Sequence, residues 1–151
     1  MEIERKFLIK ELPDLSQYNY VDIEQGYLST DPVVRIRKKD DHYILTYKGR
    51  GLMVREEIEA ELTAEAYEHL LKKIDGHPIT KRRYLIPIDG GLTAELDIFS
   101  GHMEGLIMAE VEFDSMEAAH SFTPPDWFSD EVTNNNRYHN SNMIFSNPFK
   151  K

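Results

Sequence analysis

Residues 2 to 10 read Glu2-Ile3-Glu4-Arg5-Lys6-Phe7-Leu8-Ile9-Lys10. Successive side chains on a β-strand point to opposite faces of the sheet, so residues two apart share a face. Glu2, Glu4 and Lys6 therefore fall on one face, and Ile3, Phe7 and Ile9 on the other. The same split recurs along the chain. Arg35 and Arg37 oppose Val34 and Ile36, Thr46 and Lys48 oppose Leu45 and Tyr47, and Arg55, Glu57, Glu59 and Glu61 oppose Val54, Ile58 and Ala60. Further on, Lys81 and Arg83 oppose Tyr84 and Ile86, Glu95 and Asp97 oppose Leu96 and Ile98, and Glu110 and Glu112 oppose Val111 and Phe113. Together with residues 20–29, the pattern predicts about eight strands, at 2–10, 20–29, 33–39, 42–49, 52–61, 79–88, 92–99 and 106–114. Turn signals such as Thr30-Asp31-Pro32, Asp40-Asp41 and Asp89-Gly90-Gly91 are short enough for antiparallel hairpins.

Two helices interrupt the strands. One runs from the cap residue Thr63 to Ile74, with Tyr67, Leu70, Leu71 and Ile74 at helical spacing, and the other runs from Ser115 to Phe122. A short helix is also predicted near 139–145, and Trp127 with Phe128 is expected to close one end of the fold. The class is α+β, mostly β. At 151 residues the whole chain, 1–151, reads as one domain.

Net charge is −9, from 27 acidic and 18 basic residues, which argues against a general polyanion-binding surface and against a nucleic-acid partner. There is no cysteine, so thiolate metal sites and disulfides are excluded, in keeping with a cytoplasmic protein. No apolar run approaches the ~20 residues of a membrane helix. The charges are nevertheless sorted by strand, Arg35 with Arg37 and Glu110 with Glu112, whereas a merely soluble face intersperses the signs. Like charges two apart on one face repel and imply something opposite between them. Eight strands can close into a barrel whose polar face surrounds one small ligand. For any single strand, an ordinary solvated face with cross-strand ion pairs explains the charges as well.

Taken in order, Glu2-Ile-Glu-Arg-Lys6, Gln25-Gly-Tyr-Leu-Ser29, Arg35-Ile-Arg37, Thr46-Tyr-Lys48, Arg55-Glu-Glu-Ile-Glu59, Lys81-Arg-Arg83, Glu95-Leu-Asp97, Glu110-Val-Glu112 and Asn136-Arg-Tyr-His-Asn140 resemble the CYTH superfamily, the triphosphate tunnel metalloenzymes. The resemblance covers nearly the whole chain. It implies an eight-stranded antiparallel closed barrel, the triphosphate tunnel, with a few helices packed outside. Within it Glu2, Glu4, Glu110 and Glu112, with Asp97, would hold a divalent metal, and Glu57, Glu59, Glu61 and Glu95 would be further tunnel acids. Members hydrolyse inorganic triphosphate, thiamine triphosphate or RNA 5′-triphosphate ends, or cyclise ATP, and the short chain is most similar to the bacterial inorganic triphosphatases. Asn136 stands where the family often has Lys, so of the C-terminal motif only Arg137 is carried over.

Carboxylates without Cys or His nearby suit hard cations, which points to Mg²⁺ or Mn²⁺. Lys6, Arg35, Arg37, Lys48, Arg55, Lys81, Arg83 and Arg137 would clamp the phosphates, Arg as a planar fork and Lys as a point charge. Lys81 and Tyr27 are the candidates for handling the attacking water, and a metal-bound water positioned by Glu2 or Glu4 would serve equally well. The six histidines lack ligand spacing and read as surface or loop residues. The expected partner is a small triphosphate, with oligomeric state left open. Two rival readings stand beside triphosphate hydrolysis: a class IV-type adenylate cyclase of the same superfamily, and a non-catalytic polyphosphate- or nucleotide-binding module.

Overall fold

The computed structural model describes residues 2–51 and 53–145. The strands are β1 (Glu2–Ile9), β2 (Asn19–Thr30), β3 (Val33–Lys39), β4 (His42–Lys48), β5 (Val54–Arg55), β6 (Glu57–Leu62), β7 (Asp75–Ile88), β8 (Leu92–Ser100), β9 (Ile107–Glu112) and β10 (Phe128–Glu131). Helix α1 (Ala64–Leu71) follows β6, and α2 (Met116–Ser121) follows β9. Each is capped as its sequence suggests, with the Thr63 and Ser115 hydroxyls accepting from the amides of Ala66 and Ala118. Among the described residues no helix is long and apolar enough to cross a membrane.

All pairings are antiparallel, in the order β10-β1-β9-β8-β7-β2-β3-β4-β6, with β5 returning to β1. That return closes the sheet. β6 lies along β4, with Lys48 opposite Glu57; the chain then bends at Glu56, and β5 lies along β1, with Glu2 opposite Arg55. The stretch expected as one strand at 52–61 is thus a single bent stave, because it must leave one neighbour and join another. The strand β10, outside the expected set, pairs with the far end of the same β1 edge, where Phe7 faces Glu131. With β5 and β6 as one stave and β10 outside the ring, the barrel has eight staves.

Two apolar clusters flank the charged interior. On the outer wall, Phe7, Leu96, Ala109, Val111 and Phe113 are covered by α2 and β10 through Ala119 and Phe128. Phe128 and its neighbour Trp127 therefore roof the outer wall and do not close the barrel end, as outward-facing Phe7 meets Phe128 at 5.0 Å between ring centroids. The end is closed instead from inside. Tyr27, Val33, Ile79, Phe99 and Met108 reach the last inward positions of their strands and pack against Met103, Leu106, Val132, Met143 and Ile144. Met143 and Ile144 are fully buried, each stabilising by about 1.5–3 kcal/mol relative to exposure. They are carried by two short 3₁₀ turns, Asn136–Tyr138 and Asn140–Asn142, where a helix over 139–145 was expected. The barrel is consequently a cup, apolar at its base and charged above it.

Candidate active site

Alternation delivers the inward residues and register decides which of them meet. β1, β9 and β8 supply the acids: Glu4 lies opposite Glu112, Lys6 opposite Glu110, and Glu110 opposite Glu95. β7 and β3 supply most of the bases, with Arg83 opposite Asp97 and the neutral Gln25 and Tyr27 of β2 opposite Arg37 and Arg35. The resulting cavity, about 180 Å³, is lined by Glu2, Glu4, Lys6, Tyr27, Arg35, Arg37, Lys48, Arg55, Glu57, Glu59, Arg83, Glu95, Glu110 and Glu112. The sequence reasoning had singled out each of these.

Several predicted residues lie elsewhere. Lys81 and Asp97 are sealed beneath the cavity wall, their side chains fully buried and 2.8 Å apart. Arg83 grips the same Asp97 with two hydrogen bonds, at 2.7 and 2.9 Å, so Asp97 is already saturated by cations. Glu61 is turned to a neighbouring groove with Asp41 and His42. Arg137 lies in an outer groove beside Arg5, His120 and Glu131, because the turn begun by Asn135, whose side chain accepts from the Arg137 amide, sends it outward.

That same turn brings His139, Asn140 and Ser141 to the cavity, where no periodic signal could have placed them. The His139 Nε2 lies 3.0 Å from the Thr133 carbonyl, an acceptor only, so Nε2 carries the proton. Burial lowers the His139 pKa, with Lys6 and Arg55 adding to the effect. Lys39 also lines the cavity, and the alternation did hold that signal, since Lys39 stands two residues beyond Arg37.

The charges are unevenly matched. Lys48 lies 2.9 Å from Glu2 and 3.5 Å from Glu57, Arg55 3.4 Å from Glu2, and Lys6 3.8 and 3.9 Å from Glu4 and Glu110. Arg83 reaches Glu95 and Glu110 besides Asp97. By contrast, Arg35, Arg37 and Lys39 have no carboxylate within ion-pair distance among the described residues. Arg35 offers one contact, 3.3 Å to the Thr46 hydroxyl, and its Nε has no partner. Arg37 donates its Nε to the Gln25 amide oxygen at 2.7 Å.

The ionisation equilibria follow the geometry. Burial, then Arg35 and Arg83, pull the Arg37 pKa down to about 9, which leaves it charged at neutral pH. Lys81 is lowered to about 8, chiefly by burial and further by Arg83 and Arg37 against the pull of Asp97. Glu4 is raised by burial and then by Glu110, Glu112 by burial and then by Glu2, and Glu2 by burial and its hydrogen bond with Glu57. Burial also opposes ionisation of Glu110, but Lys6 and Arg83 hold it well below the ordinary carboxylate range. Glu4, with Lys6 at 3.8 Å, and Glu112, with no ion pair among the described residues, are thus carboxylates short of positive charge, in a cavity whose β3 cations are short of negative charge.

Hard oxygen donors without sulfur suit Mg²⁺ or Mn²⁺ in chemistry. Among the described residues no three of these groups converge as a ready cage. The reason is local, since Glu2 is turned to Lys48 and Arg55, and Glu4 and Glu110 to Lys6. A cation entering here would replace long pairs of Lys6 with Glu4 and Glu110 at 3.8 and 3.9 Å and would compete with Lys48 for Glu2 at 2.9 Å, and the raised pKa values of Glu4 and Glu112 favour its entry.

Comparison with known proteins agrees with this arrangement. The CYTH domain family matches residues 1–140. An inorganic triphosphatase of Nitrosomonas europaea is 39% identical over 97% of this chain and 99% of its own length, and one of Acetivibrio thermocellus is 37% identical over 99% and 96%. A crystal structure of an inorganic triphosphatase superposes with a TM-score of 0.73 at 38% identity, over 98% of this chain and 97% of that one. A candidate adenylyl cyclase from Hippeastrum, described as having a dominant triphosphatase activity, shares the fold at 18% identity and a TM-score of 0.59, over 80% of this chain and 83% of that one.

Proposed function

This chain belongs to the CYTH domain family, and from that premise we propose that it hydrolyses the phosphoanhydride bond of triphosphate, with inorganic tripolyphosphate as substrate and pyrophosphate and phosphate as products. The observation that carries the reading is the row Arg35, Arg37 and Lys39 on β3, three cations facing the cavity without carboxylate partners among the described residues. A protein that used its basic residues only to neutralise acids would have paired these first, because an unpaired buried charge is the costlier state. A linear triphosphate of about −4 to −5 charge supplies the missing anion.

In this reading the β3 cations take the phosphate oxygens, with Arg83, Lys48, Lys6 and Arg55 exchanging part of their carboxylate contacts for substrate. Glu2, Glu4, Glu110 and Glu112 would hold Mg²⁺ or Mn²⁺, which when bound neutralises phosphate charge and stabilises the leaving oxygen. Fixing the phosphates between a cationic row and the acid wall orients them for in-line attack and stabilises charge on the transferred group. Lys81, fully buried 2.8 Å from Asp97 and absent from the cavity lining, shares that carboxylate with Arg83 and is left out of the substrate contacts. Tyr27 lines the cavity and keeps the role of orienting the attacking water, while His139, neutral with its proton on Nε2, lines it as well. The setting is a cytoplasmic one with no nucleic-acid or membrane partner.

Release of phosphate should be measured from tripolyphosphate, ATP and thiamine triphosphate, each with Mg²⁺ and with Mn²⁺. Turnover of tripolyphosphate that vanishes with EDTA is the expected result. Cyclic AMP formed from ATP without tripolyphosphate hydrolysis would favour the cyclase, and tight tripolyphosphate binding with no turnover would favour the binding module.

A further inference from the structure

Both strands beside β3 present neutral side chains to its two arginines. On the β2 side Gln25 stands opposite Arg37 and Tyr27 opposite Arg35; on the β4 side Ile44 stands opposite Arg37 and Thr46 opposite Arg35. Gln25 and Thr46 are each 0% exposed, and neither lines the cavity. They are nonetheless the atoms that hold the arginines, the amide oxygen at 2.7 Å from the Arg37 Nε and the hydroxyl at 3.3 Å from an Arg35 terminal nitrogen. The Gln25 Nε2 is buried without any partner. An amide nitrogen left unsatisfied in a closed barrel carries a penalty that a differently chosen side chain would avoid. Glutamate is the obvious alternative: it has the same shape, both of its oxygens accept, and it would give Arg37 an ion pair.

We propose that Gln25 is a positioning residue whose neutrality is its function: it fixes the Arg37 guanidinium by one hydrogen bond while leaving the full positive charge for a phosphate group of the substrate. The inference rests on the triphosphatase reading. A carboxylate at position 25 would orient Arg37 equally well, but it would compete with phosphate for that charge at 2.7 Å, a contact the substrate cannot easily displace because Gln25 is fully buried and does not line the cavity. The unpartnered Nε2 is then the cost of that neutrality. Thr46 plays the same part for Arg35 in weaker form, with a longer bond and an acceptor that is also neutral.

Two substitutions separate this role from a packing role. Gln25→Glu keeps the shape and adds a charge, whereas Gln25→Met keeps the bulk and removes the hydrogen bond. Tripolyphosphate affinity by calorimetry, KM and kcat with Mg²⁺, and melting temperature without ligand should be read on both variants and the parent. Expected for Gln25→Glu is an unliganded melting temperature equal to or above the parent's, with affinity down and KM up by at least ~30-fold, the loss of one charge-assisted phosphate contact. Gln25→Met should melt lower and lose less affinity, about 3- to 10-fold, since Arg37 keeps its charge but not its orientation. If packing or hydrogen bonding alone mattered, the order would reverse, with Gln25→Met the more impaired enzyme; that order, parental KM in Gln25→Glu, or a Gln25→Glu protein that fails to fold would each overturn the proposal. A parent enzyme that neither binds nor cleaves tripolyphosphate would overturn the functional reading itself, a result distinct from any of these.

Discussion

Removing the Arg37 side chain separates a substrate clamp from an ion pair. Arg37 has no carboxylate partner to strand, and it sits among Arg35 and Arg83, which lower its pKa to about 9 after burial has done most of the work. Arg37→Ala should therefore leave unliganded stability unchanged or slightly higher, because self-repulsion falls. It should lower kcat/KM for tripolyphosphate at least ~100-fold, about 3 kcal/mol of transition-state stabilisation. Melting and turnover measured on one preparation check both halves. The glutamates offer a second contrast. Glu4 ionises reluctantly, so Glu4→Gln should be neutral or stabilising without ligand. Glu110 is held ionised by Lys6 and Arg83, and Glu110→Gln should cost about 2–4 kcal/mol in urea unfolding by leaving those cations uncompensated. Both variants should lose metal-supported turnover if the acid wall holds the metal.

The attachment of β10 is electrostatic as well as apolar. Arg5 lies between the signature residues Glu4 and Lys6 but points outward, donating to both Glu131 oxygens at 2.9 and 2.6 Å and to the Ala119 carbonyl at 2.7 Å. It ties β10 and α2 to β1, stacked over Phe7 and Phe122. The bond from Arg5 holds the Glu131 pKa below its ordinary value of 4.5. A lowered acid contributes stability that is complete above about pH 4.5 and is lost as pH falls through the folded-state pKa. Because Glu131 is partly open to solvent, the contribution should be on the order of 0.5 kcal/mol. Glu131→Gln should thus lower the urea midpoint at pH 7 and lose less of it than the parent between pH 5 and pH 3.5.

For the molecule as a whole, folding assembles a row of cations that no carboxylate among the described residues neutralises, so a fitting anion should act as part of the fold. Tripolyphosphate with Mg²⁺ should raise the melting temperature, by the equivalent of about 2.7 kcal/mol at a hundred times its dissociation constant. The rise should shrink between 0.05 and 0.5 M KCl, since the contacts are ionic. A thermal-shift titration at several salt concentrations tests this, and a melting temperature indifferent to saturating ligand would count against both hydrolysis and simple binding. The sequence by itself determined which side chains face inward: a strand alternates because of its own backbone geometry, and Glu2-x-Glu4, Arg35-x-Arg37 and Glu110-x-Glu112 carry that alternation in five residues or fewer. The order of motifs likewise pointed to the family and its eight-stave barrel. Only the tertiary structure decided which charges are spent. Register set Asp97 against Arg83 and within 2.8 Å of Lys81, burying those contacts, while it set Gln25 and Thr46 against Arg37 and Arg35 and left those two without an ion pair among the described residues. A single 3₁₀ turn sent Arg137 outward and brought His139 in. Pairing across strands and the aim of an irregular turn depend on residues far apart in the chain, and no local pattern encodes them.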